Sequence, residues 1–79
     1  MPMIEIDRPE LLTRARDNIA DITKVERSDQ LFGLRMHGLG WIGALHVEGL
    51  ISDPMERQLV VELDATVESR RSELLAVER

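Results

Sequence analysis

Residues 31–51 read LFGLRMHGLGWIGALHVEGLI, and this segment decides the fold. Drawn as an α-helix, with about 100° between successive residues, it is apolar on two opposite sides. One side carries a first apolar set, Leu31, Leu34, Trp41, Ile42 and Leu45. The opposite side carries a second set, Phe32, Met36, Leu39, Val47 and Leu50, together with Gly33, Gly40 and Gly43. A helix that is apolar on both sides needs a neighbour on both sides. We therefore expect two neighbours, the second of which can be another copy of the chain.

A first helix is predicted before this segment, over residues 8–27. Asp7-Arg8-Pro9-Glu10 resembles a capping box with proline in the first helical turn. Apolar residues then recur every three or four positions and form one stripe, Leu11, Leu12, Ala15, Ile19, Ile22 and Val25.

A third helix is predicted over residues 54–78, and the second then covers residues 30–49. Asp53-Pro54-Met55-Glu56 has the pattern of a helix start, and Gly49 suits the left-handed residue that ends the preceding helix. The third helix carries a coiled-coil-like seam with alternating spacings of three and four, Val60, Leu63, Val67, Arg70, Leu74 and Val77.

Arg70 is the one charged residue in this seam, and its role has three alternatives. Its side chain can reach along the apolar surface to solvent. It can pair with a carboxylate such as Glu48 or Asp17 across an interface, or it can hold an anionic ligand.

These patterns predict an all-α protein, an antiparallel three-helix unit with a long C-terminal helix, in one domain over residues 1–79. A core of this size rarely stabilises a chain by itself, and small domains add disulfides, metals or self-association. The chain has 79 residues, two histidines and no cysteine. We therefore expect a homodimer, formed through the central or the third helix.

The charge argues against several kinds of partner. Fifteen acidic and ten basic residues give a net charge of −5, whereas proteins that bind nucleic acid or anionic membranes concentrate Lys and Arg on one face. The segment from Met1 to Asp7 lacks the positive start of a signal peptide. The longest stretch without charge, residues 36–47, is too short to span a bilayer. We expect a cytoplasmic protein with no nucleic-acid or membrane partner.

One stretch matches a nucleotide-binding pattern. Gly38-Leu39-Gly40-Trp41-Ile42-Gly43 satisfies G-x-G-x-x-G, and Glu62 and Asp64 lie at a suitable distance to meet a ribose. The preceding residues, however, include Arg35 and His37, where a buried parallel strand should be apolar. Close packing of helices at the glycines is the favoured interpretation, and nucleotide binding remains an alternative.

Catalytic and metal-binding patterns are weak. His37 and His46 fall on opposite sides of the second helix, so one metal ion cannot bind both within one chain. The serines have no nearby histidine with an orienting acid. Chorismate mutases are small helical enzymes that need several converging basic residues, and only Arg35 and Arg70 are candidates here. We expect no enzyme activity, cofactor or metal, and a ligand site of Arg35, His46 and Arg70 is a minor alternative.

Trp41 and Phe32 are the only aromatic residues. Packing in the core is the expectation for both. If Trp41 is exposed beside Leu34 and Leu45, it becomes a candidate hot spot for a partner.

The stretch from Leu45 to Asp53 resembles the helix–G-(L/I)-I-(S/T)–helix corner of short oligomerisation domains of the SHOCT type and of small helical phage and prophage proteins. Met55 stands where an acid normally follows the Ser/Thr cap, which moves the predicted capping box to Asp53 and Glu56. The stretch from Glu68 to Leu74 is similar to the last helix of some small anti-CRISPR proteins. These resemblances imply an accessory protein that acts by binding.

The sequence thus predicts a small, acidic, non-enzymatic protein-binding module, such as a phage or mobile-element accessory protein that inhibits a host protein by steric occlusion. Inhibition of the anti-CRISPR or anti-activator type would fit. The alternatives are a structural or oligomerisation subunit, and a small-ligand or nucleotide-binding protein that uses residues 38–43. The expected partners are a second copy of the chain and another protein. The candidate interface residues are Phe32, Met36, Gly40, Trp41, Gly43, Val47, Val60, Leu63, Val67, Arg70 and Leu74.

Overall fold

The computed structural model describes residues 5–78, and they form three α-helices. Helix α1 spans Pro9–Ala20, α2 spans Leu31–Val47 and α3 spans Asp53–Glu78. Two short 3₁₀ helices, Asp21–Lys24 and Ser28–Gln30, connect α1 to α2. The all-α prediction is confirmed. The signal-peptide prediction rests largely on residues 1–4, which lie outside the described residues.

Consecutive helices run antiparallel, so α1 runs in the same direction as α3. Near the start of both helices, the Asp7 carboxylate accepts hydrogen bonds from the backbone N–H and the hydroxyl of Ser52, at 2.9 and 2.7 Å. Further along, the Arg16 guanidinium donates two hydrogen bonds to the Glu62 carboxylate, both at 2.9 Å. Residue numbers therefore rise together along α1 and α3.

Helix α2 runs the opposite way against α3. Arg35, near its start, pairs with Asp64, whereas His46, near its end, pairs with Asp53. As residue numbers rise along α2, the partners on α3 fall. The predicted antiparallel three-helix arrangement follows.

The predicted end of the first helix at residue 27 is wrong, because α1 already stops at Ala20. A 3₁₀ helix follows, and Val25 is extended at φ −68° and ψ 148°. The Thr23 hydroxyl donates a hydrogen bond to the Ala20 carbonyl at 2.7 Å, which competes with continued helix. Ile22 still reaches the core, with 5% of its surface exposed. The apolar spacing therefore correctly predicted that Ile22 is buried, but it wrongly predicted that the α-helix continues beyond Ala20.

The corner between α2 and α3 confirms Gly49 as the residue that ends the second helix. Its φ is +75°, which glycine adopts without steric cost. Its N–H donates to the His46 carbonyl at 3.0 Å, and the Leu50 N–H donates to the Leu45 carbonyl at 2.9 Å. This pair of bonds is the Schellman motif.

The predicted N-cap residues of α3 and α1 are both wrong. Ser52, rather than Asp53, caps α3, because the Ser52 hydroxyl accepts a hydrogen bond from the Met55 N–H at 3.2 Å. Arg8 holds the N-cap position of α1, and the carboxylate of Asp7 binds Ser52 instead. Asp7 therefore ties the start of α1 to the start of α3.

The core lies along one side of α3. Its buried members come from every part of the fold and are Ala15, Ile19, Ile22, Leu31, Ile42, Ile51, Leu59, Leu63, Val67 and Leu74. Leu63, Val67 and Leu74 were interface candidates, but only 0%, 2% and 6% of their surfaces are exposed. Val60 is partly buried against the same core. The seam of α3 thus packs against its own chain, and an interface has to be built from other residues.

Gly38 brings the backbone of α2 close to α3. A Cβ atom at this position would lie 2.9 and 3.0 Å from the two methyl carbons of Leu63, closer than real Cβ contacts allow. Leu63 itself is completely buried, and a side chain at position 38 would have to displace its methyl groups. Glycine at position 38 therefore lets α2 pack closely on α3.

We expect Gly38→Ala to be less stable than Gly33→Ala by about 1–3 kcal/mol, since overpacking a core costs about that much. A Cβ atom at Gly33 would meet no atom of residues 5–78 within 4 Å, so that variant gains only the better helix propensity of alanine. Chemical unfolding of both variants measures the difference. Equal stability would show that Leu63 does not need the bare backbone at Gly38.

Candidate protein-binding face

One side of α2 faces away from the core and is apolar. Phe32, Met36 and Val47 expose 70%, 49% and 82% of their surfaces. Leu39 is partly buried between them. We call this surface the open face, and its members are Phe32, Met36, Leu39, Gly40, Gly43 and Val47. The structure thus confirms that α2 is apolar on two sides, and that this chain covers one of them.

Phe32 contradicts its predicted place in the core, since most of its surface is exposed. On the helix, Phe32 lies about 100° from Leu31, which is completely buried. We expected Phe32 in the core because phenylalanine is among the residues that are most often buried. The helical position, which places Phe32 with Met36 and Val47, gives the better prediction.

The glycines of the open face are not needed for packing within the chain. A Cβ atom at Gly40 or Gly43 would meet no atom of residues 5–78 within 4 Å. The close backbone approach that we expected at Gly33, Gly40 and Gly43 therefore does not occur in the chain itself, and the glycine that makes such an approach is Gly38. Gly38 lies on the core side of the helical projection, so the sequence carried a signal for it.

Two ion pairs border the open face on the side of α3. The Arg35 Nε donates to an Asp64 carboxylate oxygen at 2.7 Å, and this contact raises the pKa of Arg35. At the other end of α2, His46 Nε2 pairs with Asp53, and His46 Nδ1 lies 3.6 Å from a Glu56 oxygen. The hydrogen bond to Asp53 raises the pKa of His46 above its usual value, with a further contribution from the charge of Glu56. The cationic groups beside the face are thus paired with α3.

Trp41 lies on the other side of α2, between α2 and α1. It is half-buried and packs against the core, as expected. A groove of about 210 Å³ opens beside it, lined by Leu11, Arg14, Ala15, Asn18, Trp41 and Leu45. We call this the Trp41 groove. Trp41 projects about 150° around the helix from the middle of the open face, so the two surfaces point in nearly opposite directions.

Arg70 serves the fold of its own chain. Its Nε and one terminal nitrogen donate to the Val25 carbonyl at 3.1 and 2.7 Å, and its other terminal nitrogen lies 3.6 Å from Glu73. Its side chain is thus directed at the connection after α1, and not at Glu48 or Asp17 as we considered. The extended backbone at Val25 leaves this carbonyl free for Arg70, which sequence spacing could not show.

The residues of the G-x-G-x-x-G match lie in the middle of α2. Phosphate-binding loops offer free backbone N–H groups at the start of a helix, whereas N–H groups inside a helix are bonded to its own carbonyls. Gly38 is moreover covered by Leu63. The helical packing interpretation of this segment is therefore favoured over nucleotide binding.

The three residues of the minor ligand-site alternative are not brought together. Arg35 and His46 lie eleven residues apart on α2, or about 16 Å, and each pairs with a different acid of α3. Arg70 binds Val25. Within residues 5–78, no group of three His, Asp or Glu side chains is placed to hold a metal ion.

None of the helices in the described part of the chain is long and apolar enough to cross a membrane. Comparisons with protein families, curated proteins and solved structures gave no match. The function therefore has to be inferred from the open face, the Trp41 groove and the charges around them.

We expect His46 to contribute less to the stability of the folded state as the pH rises above about 6.5, because His46 then loses its proton. Its pKa is raised in the folded protein, so the folded state binds the proton more tightly than the unfolded chain does. The stabilisation is complete below the unfolded pKa of about 6.5 and is lost as the pH rises through the folded pKa. Thermal unfolding of the wild type and of His46→Gln at a series of pH values measures this effect. The difference between the two should shrink with rising pH, and a constant difference would contradict the role of the His46–Asp53 pair.

Proposed function

We propose that this protein is a small, non-enzymatic protein-binding module that works as a homodimer, with the open face of α2 as the contact between two copies. The observation that carries this proposal is the exposure of Phe32, Met36 and Val47 on one side of a helix whose other side packs against the core. Exposed apolar residues grouped on one side of a helix are candidates for an interaction site.

The energy available from covering the face limits the dimer to weak affinity. The exposed fractions of Phe32, Met36 and Val47 together amount to about two whole side chains. Burial of a large apolar side chain contributes about 1.5–3 kcal/mol, so two copies gain about 6–12 kcal/mol. Loss of translational and rotational freedom costs about 4–15 kcal/mol. The most favourable combination leaves about 8 kcal/mol, which corresponds to a micromolar dissociation constant, so we expect a weak, reversible dimer.

The biological role that we propose is inhibition of a host protein by steric occlusion, as in accessory proteins of phages and mobile elements. The small size, the acidic surface and the resemblance of residues 45–53 and 68–74 to such proteins support this role. A dimer also doubles the volume that can block a surface.

The Trp41 groove is the surface that we propose for the other protein. It points away from the open face, so it stays accessible in the dimer. Leu11, Ala15 and Leu45 supply apolar walls, and Arg14 supplies a positive charge at the rim. A protein segment that presents an apolar side chain next to a carboxylate fits this combination. The volume of about 210 Å³ suits one side chain rather than a small-molecule ligand, whose pockets usually measure about 300–1,000 Å³.

The second candidate function is a structural or oligomerisation subunit. The same open face supports it, because self-association alone would cover the apolar surface. The two candidates differ in whether a second protein binds to the dimer.

We expect Phe32→Glu/Met36→Glu to be monomeric, because dimerisation would bury four carboxylates against apolar surface. Light scattering across a concentration series should show the wild type changing from monomer to dimer, whereas this variant stays monomeric with unchanged helicity. Val61→Glu is the matched control, since Val61 is 62% exposed but lies on α3 outside the face. A wild type that remains monomeric at all concentrations would contradict the proposal, as would a double variant that dimerises normally.

We also expect a stoichiometric host protein to be captured by the wild type and by Val61→Glu, and to be lost with Arg14→Glu. The reversed charge repels the carboxylate that the Trp41 groove is proposed to accept. Affinity capture from the native host, with quantitative mass spectrometry, measures this difference. A dimer that captures no protein would favour the oligomerisation subunit, and capture unaffected by Arg14→Glu would exclude the groove.

A further inference from the structure

The open face is arranged so that its two halves complement each other. Its bulky members, Phe32 and Met36, lie in the first half of α2, whereas Gly40 and Gly43 lie in the second half. The midpoint of the face falls between Leu39 and Gly40. Turning a second α2 end over end about this midpoint places residue 36 opposite residue 43, and residue 32 opposite residue 47.

We propose that two copies of the chain pack antiparallel through α2, with Met36 against the partner's Gly43 and Phe32 against the partner's Val47. This inference rests on the proposed homodimer and specifies its geometry. Since Cβ atoms at Gly40 and Gly43 would meet nothing in the chain itself, there is free space above both glycines. The bulky half of one face fills the shallow half of the other. Parallel packing would instead place the bulky half opposite the bulky half and glycine opposite glycine, without this complementarity.

The distribution of charge allows two copies to meet at the open face, although each chain has a net charge of −5. Helix α2 contains no Asp or Glu, whereas α3 contains seven. Arg35 and His46, which border the face, are already paired with acids of their own chain. Contact through α2 therefore keeps the acidic surfaces of the two copies apart.

The size of the face is consistent with a reversible contact. From Phe32 to Val47 it extends about 22 Å along the helix, and a helix is about 11 Å wide, which gives roughly 250 Å² in projection. Standard interfaces cover about 800 Å² on each partner. A contact of this size is typical of weak, concentration-dependent interactions. A test therefore has to trap the dimer covalently.

Disulfide trapping tests the geometry directly, because the chain contains no cysteine of its own. Phe32→Cys and Val47→Cys are prepared separately, mixed and oxidised mildly, and mixed disulfides are identified by mass spectrometry. Antiparallel packing brings Cys at position 32 next to Cys at position 47 of the other copy. It holds two cysteines at position 32 about 22 Å apart. We expect the mixed disulfide to form at least about tenfold faster than the disulfide of Phe32→Cys alone, because contact inside a complex raises the effective concentration.

Two further variants are the positive and the negative control for the rate of disulfide formation. Position 39 lies beside the midpoint, so two copies of Leu39→Cys should form a disulfide with each other in either arrangement. Val61→Cys, on the exposed side of α3, reports random collisions. Circular dichroism checks that each variant keeps its helices.

The possible results separate this inference from the proposed function. Rapid disulfide formation by Phe32→Cys alone would show parallel packing, which overturns the antiparallel geometry and leaves the homodimer intact. If Leu39→Cys and the mixture both react no faster than Val61→Cys, the open face is not the contact between copies. The inference then fails, and light scattering decides whether the homodimer fails with it.

Discussion

Burial of the apolar stripe of α3 is the interaction on which the rest of the structure depends. Leu59, Leu63 and Val67 are almost completely inaccessible to solvent, and the buried residues of α1, α2 and the corner all belong to the same cluster. Helix α2 joins this cluster at close range at Gly38, which has no side chain above Leu63. The side of α2 that faces α3 is thus fixed, and the open face is what remains on the other side.

Polar contacts then fix the parts that the core does not reach. Asp7 holds the start of α1 at Ser52, and Arg70 holds the connection after α1 through the Val25 carbonyl. At the far end of α3, the Glu78 carboxylate accepts two hydrogen bonds from Ser28, from its backbone N–H and its hydroxyl, at 3.0 and 2.7 Å. Hydrogen bonds to charged groups contribute more than neutral ones. They therefore offset part of the disadvantage of a small core.

The sequence predicted the features that depend on periodicity and on single special residues. The two apolar sides of α2, the left-handed Gly49 and the length of α3 all follow from such local signals. The role of Arg70 and the contact of Asp7 with Ser52 could not be predicted in this way, since each joins residues more than forty positions apart. The early end of α1 and the cap at Ser52 involve local hydrogen bonds of Thr23 and Ser52, which apolar periodicity does not reveal. For the candidate site the same limit applies. Periodicity placed Phe32, Met36 and Val47 together, but only the structure shows that Leu63, Val67 and Leu74 are already used by the core.

The four glycines of α2 also bear on the order in which the chain assembles. Each lowers the intrinsic preference for helix by about 1 kcal/mol relative to alanine, so α2 alone would be largely unwound in water. Helix α3 has no glycine and begins with a well-formed cap. We therefore expect α3 to act as the template on which α2 winds during folding. The segment that we propose to join two molecules would then be the last of the helices to acquire its shape.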